Sequence, residues 1–486
     1  MKQELLDKKR IKLEKKERRA KLKKENKSRR LAIRQLKKNV LAAQKEERVN
    51  REKQISDSMQ NEVNRGRIAN WFRLDNAAMI YPAARGRDWN FVFRISAVMK
   101  EKVNIELLQK TVDEVLPRFP SFNVSLKSGF FWNYFEPNFN KLTIQPEKDF
   151  PCKPFDIYNT HKHLIRILYT DYRISFECFH ALADGRGGLF FFNSLLARYL
   201  INLGEKVPDS DYYANSKDLP TSGELEDSFL KNYTKEKCKR PKEQPAFKIK
   251  GTLLPSNVVN STTFVMSASQ IRDIAKSKGL KIGAFLAAVV GFAVSKENVD
   301  NKKPVRISVP IDLRDCYNSS TLRNFSSYIN IEFPMKNFSF DEALEISKTA
   351  INSINKDFLQ SNINSNVSLQ KNPFIKAFPL FIKAPIMKMC FNYMGENYQT
   401  LALSNIGKVA LPEVFSNHIE RLEVNLGKSK HNEKSIGIVA FEDKLVMTIS
   451  SKINENVTEC NIANILVGLG ADVIVESNRR DLYARN

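Results

Sequence analysis

An α+β fold of two lobes behind a basic arm is what this 486-residue sequence predicts. Strand-like and helix-like segments follow one another in runs, without a regular βαβ alternation, and that disfavours a doubly wound parallel sheet. The length suits two sizeable globular units plus an appendage. A polar stretch rich in Asp, Ser, Lys and Pro, from Asn202 to about Lys250, is the natural connection between the two. These shifts set the expected boundaries: an arm over 1–60, a first lobe over 61–202, a linker over 203–250 and a second lobe over 251–486.

The arm is a different material from the rest. Its first 53 residues hold 22 Lys or Arg against 8 Asp or Glu, a net of +14 out of +24 for the whole chain. They contain no Gly, Pro or aromatic residue, and strong helix formers dominate. Ile33, Leu36 and Val40 make one short apolar stripe, too little for a heptad seam. A solvated, partly helical tail is the plain reading. Adhesion to an anionic membrane face is the second, since each basic residue near such a surface adds about 1 kcal/mol. The arm has no aromatic residues to stack on bases and no recognisable nucleic-acid-binding fold, which argues against specific nucleic-acid recognition.

From about Arg67 the pattern becomes globular. Trp89 to Ile95 reads as a strand, and Asn104 to Val115 as an amphipathic helix with Ile105, Leu108, Val112 and Val115 on one face. Pro117 and Pro120 stop it. Leu164–Leu168 and Ile174–Phe179 read as strands around a Tyr169–Arg173 turn. A helix follows, with Leu189, Phe192, Leu195, Leu196 and Tyr199 at helical spacing for core packing. The second lobe starts with a strand near Thr262–Met266 and a helix capped around Ser267. Gly279 separates that helix from an apolar one starting near Ile282. Strands are expected at Val305–Val309 and Ser326–Phe333, a hairpin at Ile436–Phe441 with Leu445–Ser450, and a closing helix from Ala463 to Leu469.

Composition narrows the chemistry. Cys152, Cys178, Cys238, Cys316, Cys390 and Cys460 are scattered without Cys-x-x-Cys spacing, which predicts neither a disulfide framework nor a zinc site. The first residues lack the apolar core of a cleavable signal peptide. The apolar run Ile282–Val294 is too short to cross a bilayer. A reducing cytoplasm is the expected setting, and the arm's charge allows a peripheral place at the inner membrane face. His161 and His163 share one strand face, but no third ligand lies near them in sequence; His418 and His431 read as surface residues. Phe374–Tyr393 concentrates Phe374, Phe378, Phe381, Phe391, Met387 and Met389. Core packing is the default there, an apolar sleeve for an acyl chain or a membrane-interface segment the sharper alternatives.

One hexapeptide carries more than all of this: His180-Ala181-Leu182-Ala183-Asp184-Gly185. Ile174, Phe176 and Cys178 alternate with Ser175 and Glu177, the period of a half-buried strand, and continuing the phase puts His180 on the apolar side. An imidazole on the inner face of a sheet where the chain turns is well placed to be a general base. Gly185 tolerates left-handed backbone angles of the kind such a turn can require. A histidine followed at this spacing by Asp-Gly is expected by chance in about one chain in a hundred of this composition. Asp184 could orient His180, or could pair with a distant arginine and fix the loop; the second role is favoured.

The hexapeptide resembles the His-x-x-x-Asp-Gly signature of the CoA-dependent acyltransferase superfamily. That group includes chloramphenicol acetyltransferase, plant BAHD acyltransferases, peptide-synthetase condensation domains, wax ester synthases and alcohol acetyltransferases. Val309-Pro310-Ile311-Asp312-Leu313-Arg314 with Arg323-Asn324-Phe325 is similar to the superfamily's Asp-x-Arg segment with its following Asn. Leu403-Ser404-Asn405-Ile406-Gly407-Lys408-Val409 is similar to the Ser-Asn-x-Gly segment of alcohol acetyltransferase-like members. Trp71 to Asp75 and Leu116 to Pro120 match the usual opening of the first half. The resemblance covers about residues 66–486.

It implies two chloramphenicol acetyltransferase-like lobes with mixed sheets, flanking helices and a tunnel between them. It implies that His180 deprotonates an acceptor hydroxyl, which attacks an acyl thioester directly. Asp184 would be structural, paired with an arginine for which Arg314 is the best candidate. Acyl-CoA and an alcohol would be the substrates, with no permanently bound cofactor, and CoA phosphates suit the chain's positive charge. Two departures stand out. Phe179 replaces the first of the paired histidines of condensation domains and wax ester synthases, and the plant-type Asp-Phe-Gly-Trp-Gly motif is absent. Ser404 or Asn405 could donate to the developing oxyanion or serve only to cap a turn. Two other readings remain: condensation-type transfer from a carrier-protein thioester, and an inactive acyl-CoA-binding or scaffold protein.

Overall fold

Strand Arg173–Phe179, which leads into His180, lies inside a five-stranded sheet in the computed structural model of the chain. The structure describes residues 71–479 except 87–88, 90, 160, 237, 239–242, 257, 298–301, 336 and 395, together with 35 and 39. Apart from Gln35 and Asn39, the expected basic arm therefore lies outside the described residues. From edge to edge the sheet runs Ile419–Leu426, Val92–Met99, Arg173–Phe179, Ile165–Thr170 and Gln145–Pro146. Its pairs are antiparallel except the last, which is parallel.

The half-buried alternation expected of residues 174–178 is corrected by the structure. Ser175 and Glu177 are as deeply buried as Ile174, Phe176 and Cys178. The strand has a neighbour on each side and the 147–153 segment over its second face, so that face is filled with paired charges. Arg94 bridges Glu177 and Glu147 at 2.7 and 2.6 Å, and Arg166 meets Glu177 at 2.5 Å. Such pairing offsets the cost of burying these charges. Period alone cannot tell an exposed polar face from a buried polar network.

A seven-stranded mixed sheet occupies the second half, ordered Ser326–Phe333, Val305–Asp312, Leu401–Val409, Lys434–Phe441, Lys444–Ser451, Asn260–Ser267 and Val473–Ser477. Leu401–Val409 is parallel to both neighbours; the remaining pairs are antiparallel. A three-stranded sheet of Phe72–Arg73, Asn133–Pro137 and Val124–Ser128 completes the described strands. Mixed sheets with flanking helices make the chain α+β.

Local rules account for the helices. Asn104 accepts from the Leu107 amide at 3.0 Å and starts helix Ile105–Val115. Leu108, Val112 and Val115 are buried, whereas Ile105, expected on the same face, is exposed in the first turn. Ser267 caps Ala268–Ser277 through the Gln270 amide, and Gly279 ends that turn at φ +69°. Helix Ile282–Ser295 is buried along most of its length, with Gly291 leaving room for the Phe333 ring. Two points of the 203–250 segment are firmly packed. Glu224 takes a two-pronged bond from buried Arg118 at 2.7 and 2.8 Å, and Phe229 packs on Phe325.

Candidate active site

His180 is held from three sides. Its amide donates to the Phe91 carbonyl at 2.8 Å, and its ring packs between Tyr81 and Phe93, with centroids 4.9 and 5.3 Å away. Its Nδ1 lies 3.0 Å from Asn324 Oδ1. The Asn324 side chain has one consistent orientation, because its Nδ2 donates to Asp75 Oδ2 at 3.1 Å while the backbone amide donates to the same oxygen at 3.3 Å. With Nδ2 committed to the carboxylate, Oδ1 faces the histidine and must accept. The His180 proton therefore sits on Nδ1, and Nε2 carries the lone pair.

Asp75 is fully buried at the end of this chain. Its Oδ1 accepts from the Ala78 amide at 2.7 Å, and the Arg323 guanidinium lies 3.7 Å away. Burial pushes its carboxyl above the usual range despite Arg323 and these donors. Burial, with Asp75 and Asp184 nearby, likewise raises the Tyr81 hydroxyl well above its usual range.

Asp184 plays a separate part. In extended conformation it caps helix Gly185–Leu203 through the Gly187 amide at 3.0 Å. Its two oxygens each take a guanidinium hydrogen from Arg314 at 2.9 Å, and Oδ2 also accepts from the Phe325 amide at 2.8 Å. Burial alone would raise its pKa, but Arg314 and the backbone donors outweigh it and hold the carboxyl below the ordinary value. Arg314 further donates to the Thr321 and Arg323 carbonyls at 2.8 and 2.7 Å and to Asp312 at 2.8 Å. This pair fastens the turn after His180 to the 312–325 segment, and that segment also supplies Asn324.

No family model matches the chain, and no curated protein matches it in sequence. Solved structures do. A TRI101 protein of Fusarium sporotrichioides, complexed with coenzyme A and T-2, superposes with a TM-score of 0.55 at 11% identity, covering 83% of this chain and 100% of that one. Polyketide synthase associated protein 5 from Mycobacterium tuberculosis gives 0.52 at 14% identity, over 81% of this chain and 97% of that one. The nonribosomal peptide synthetase FmoA3 gives 0.55 at 10% identity, over 83% of this chain but 42% of its own length. The chain has the chloramphenicol acetyltransferase-like fold.

Within this acetyltransferase-like fold, Ser404 and Asn405 lie on strand Leu401–Val409, where pairing with Lys434–Phe441 shifts register between Asn405 and Lys408. Asn405 Oδ1 accepts from the Gly407 amide at 2.9 Å, and Gly407 takes φ +84° to close that bulge. The neighbouring Ile406 side chain reaches Gly185, 3.6 Å from where a Cβ would stand. Gly185 itself needs no left-handed angle, contrary to expectation, because extended Asp184 makes the bend and Gly185 begins the helix. Gly187 is constrained instead, since a Cβ there would run into the Leu322 backbone carbonyl, and a Cβ at Gly188 would meet the Phe93 ring.

Sequence reasoning assigned no role to Asp75, Tyr81 or Asn324. Asp75 and Asn324 are 249 residues apart, and only their presence in the two quoted motif segments could have pointed to them. Of the remaining histidines, His163 bonds Asn123 at 3.0 Å and His161 is exposed. His418, expected as a plain surface residue, is mostly buried and lies 3.1 Å from Glu205 and 3.7 Å from Glu101. His431 is half-buried, and burial lowers its pKa.

Proposed function

We propose that the protein transfers an acyl group from acyl-CoA to an alcohol, with His180 as general base. The Asn324–His180 hydrogen bond carries this reading, because it leaves Nε2 as the proton acceptor. In the reaction, Nε2 takes the hydroxyl proton as the acceptor oxygen attacks the thioester carbonyl. The tetrahedral intermediate then collapses, the C–S bond breaks, and the leaving thiolate recovers the proton from His180. The Asn405 side-chain amide remains a donor candidate for the oxyanion, its Oδ1 being occupied by Gly407. Ser404 is the second candidate. Neighbours of the same fold complexed with coenzyme A support the choice of donor.

The test is thiol release from acetyl-, octanoyl- and palmitoyl-CoA across a panel of alcohols, wild type beside His180→Ala. The expected result is alcohol-dependent release that falls about 10²- to 10⁴-fold in the variant. An unchanged rate in His180→Ala would overturn the assignment of the base. Release only from a phosphopantetheine-loaded carrier protein would favour condensation-type chemistry. CoA binding without turnover of either donor would favour an inactive binding module.

A further inference from the structure

Helix Leu380–Met394 leaves at the surface apolar side chains that core packing would have covered. Phe378, Phe381, Ile382, Ile386 and Met389 are exposed, Phe381 by 70%. Phe381, Ile382, Ile386 and Met389 fall along one side of the helix, and Phe378 lies just before it. The Leu380 amide donates to the Phe130 carbonyl at 2.7 Å, which joins this helix to the 128–132 loop. Phe130 is 67% exposed, and Phe131 is exposed beside it. Soluble monomers rarely leave so many large apolar side chains together at the surface.

Phe391 of this helix packs inward on Phe91 at 5.3 Å, but the most deeply buried of its described side chains is a lysine. Lys383 is 3% exposed, its Nζ stands 3.4 Å from the centre of the Trp132 ring, and it has no hydrogen-bond partner among the described residues. Burial pushes its ammonium below the usual range. Phe381 and its apolar neighbours therefore face water while a cation sits beneath them, the reverse of a helix built only to pack on its own protein.

Charge selects the occupant. No Asp or Glu occurs between Asp357 and Glu396, while Lys371, Lys376, Lys383 and Lys388 fall in that interval. A cavity of about 680 Å³ opens at the base of the same face, lined by Phe130, Tyr158, Leu380 and Phe381 with Arg85 and Lys388. The Arg85 guanidinium stacks on Tyr158 at 4.8 Å. Pro82 and Ala83 also line it, and they follow in sequence the Tyr81 that packs on His180. Large exposed apolar side chains on a stretch of chain that carries lysines and no carboxylate match the headgroup region of an anionic bilayer.

We propose that the surface formed by the 128–132 loop and residues 378–389 docks on an anionic lipid membrane, with its apolar side chains entering the headgroup layer. This is separate from the acyl-transfer reading and from adhesion through the basic arm. It would place the mouth of the cavity toward lipid.

The experiment is flotation of the full chain with vesicles of phosphatidylcholine alone or mixed with phosphatidylserine, at low and at high salt. A Phe130→Ser, Phe381→Ser, Met389→Ser triple variant is run beside the wild type, after both show the same melting temperature. His180→Ala serves as a control that should bind as wild type does. Salt screens attachment through the arm but spares apolar insertion. The expected result is wild-type binding to the mixed vesicles that persists in part at high salt, with the persistent part weakened about tenfold or more in the triple variant. Equal binding of triple variant and wild type, or equal binding to neutral and anionic vesicles, would overturn the proposal. A wild type that is dimeric without vesicles, beside a monomeric triple variant, would assign the face to a second copy instead.

Discussion

Asn324 Oδ1 stands 3.0 Å from His180 Nδ1 across 144 residues of chain, and Asp75 fixes which end of the amide faces the ring. Replacing Asn324 by Ala frees the ring to take the other tautomer. The turnover number is expected to fall on the order of 10²-fold with KM for acyl-CoA little changed. Asn324→Asp tests the same contact with the opposite charge. A carboxylate at Nδ1 favours imidazolium, so the acid limb of the pH–rate profile should move to higher pH. A residue acting only through the fold would lower the rate without moving that limb.

Gly185 and Gly187, two of the three glycines that follow Asp184, should separate sharply. Gly187→Ala puts a methyl group into the Leu322 carbonyl, which is backbone and cannot swing aside. It should cost about 3 kcal/mol, read as a fall in the urea midpoint. Gly185→Ala meets only the Ile406 side chain at ordinary contact distance and sits in the first turn of a helix. Its midpoint should stay within about 1 kcal/mol of wild type.

Arg314→Met leaves Asp184 buried with a charge and no guanidinium. The expected loss is about 3–5 kcal/mol by denaturant unfolding. Adding Asp184→Asn removes the stranded charge, so the double variant should lose less than the sum of the single losses. Strict additivity in that cycle would show that the pair does not act as a unit.

Asp227 supplies a pH signature. Burial, with Asp75 nearby, pushes its carboxyl to about 6, against an ordinary value of about 3.9. The folded chain thus keeps a proton that the unfolded chain has already lost between those pH values. Stability from this group is present below about pH 4 and declines as pH rises through 6, by on the order of 2 kcal/mol. Asp227→Asn should flatten the wild-type slope between pH 4 and 6.5, as followed by urea midpoints across that range. An unchanged slope would assign the titration to another group.

The contact between the 312–325 segment and the His180 turn also shows where reading a sequence stops. Strand 173–179, the turn, the helix after it, the Ser267 cap and the apolar Ile282 helix follow from period, capping chemistry and composition over neighbouring residues. Strand Ile419–Leu426 gave no such signal. It leaves the second half of the chain to pair with Val92–Met99 in the first-half sheet, a partner chosen by tertiary packing. Strand Val473–Ser477 was unforeseen for a similar reason: it is largely exposed, and its pairing with Asn260–Ser267 defines it more than its own pattern does.

By itself the sequence determined what each short segment can do: His180 at the end of a strand, a carboxylate in the turn that follows, an arginine with a following asparagine far downstream. The tertiary structure decided which of these meet. It set Asn324 and Asp75 behind His180, gave Arg314 to Asp184, made Gly187 rather than Gly185 the tight position, and turned Lys383 inward while its phenylalanine neighbours stayed outside. Local geometry is encoded within a few residues, through backbone angles and side-chain period. A hydrogen bond between residues hundreds of positions apart exists only once packing has brought its two ends within about 3 Å.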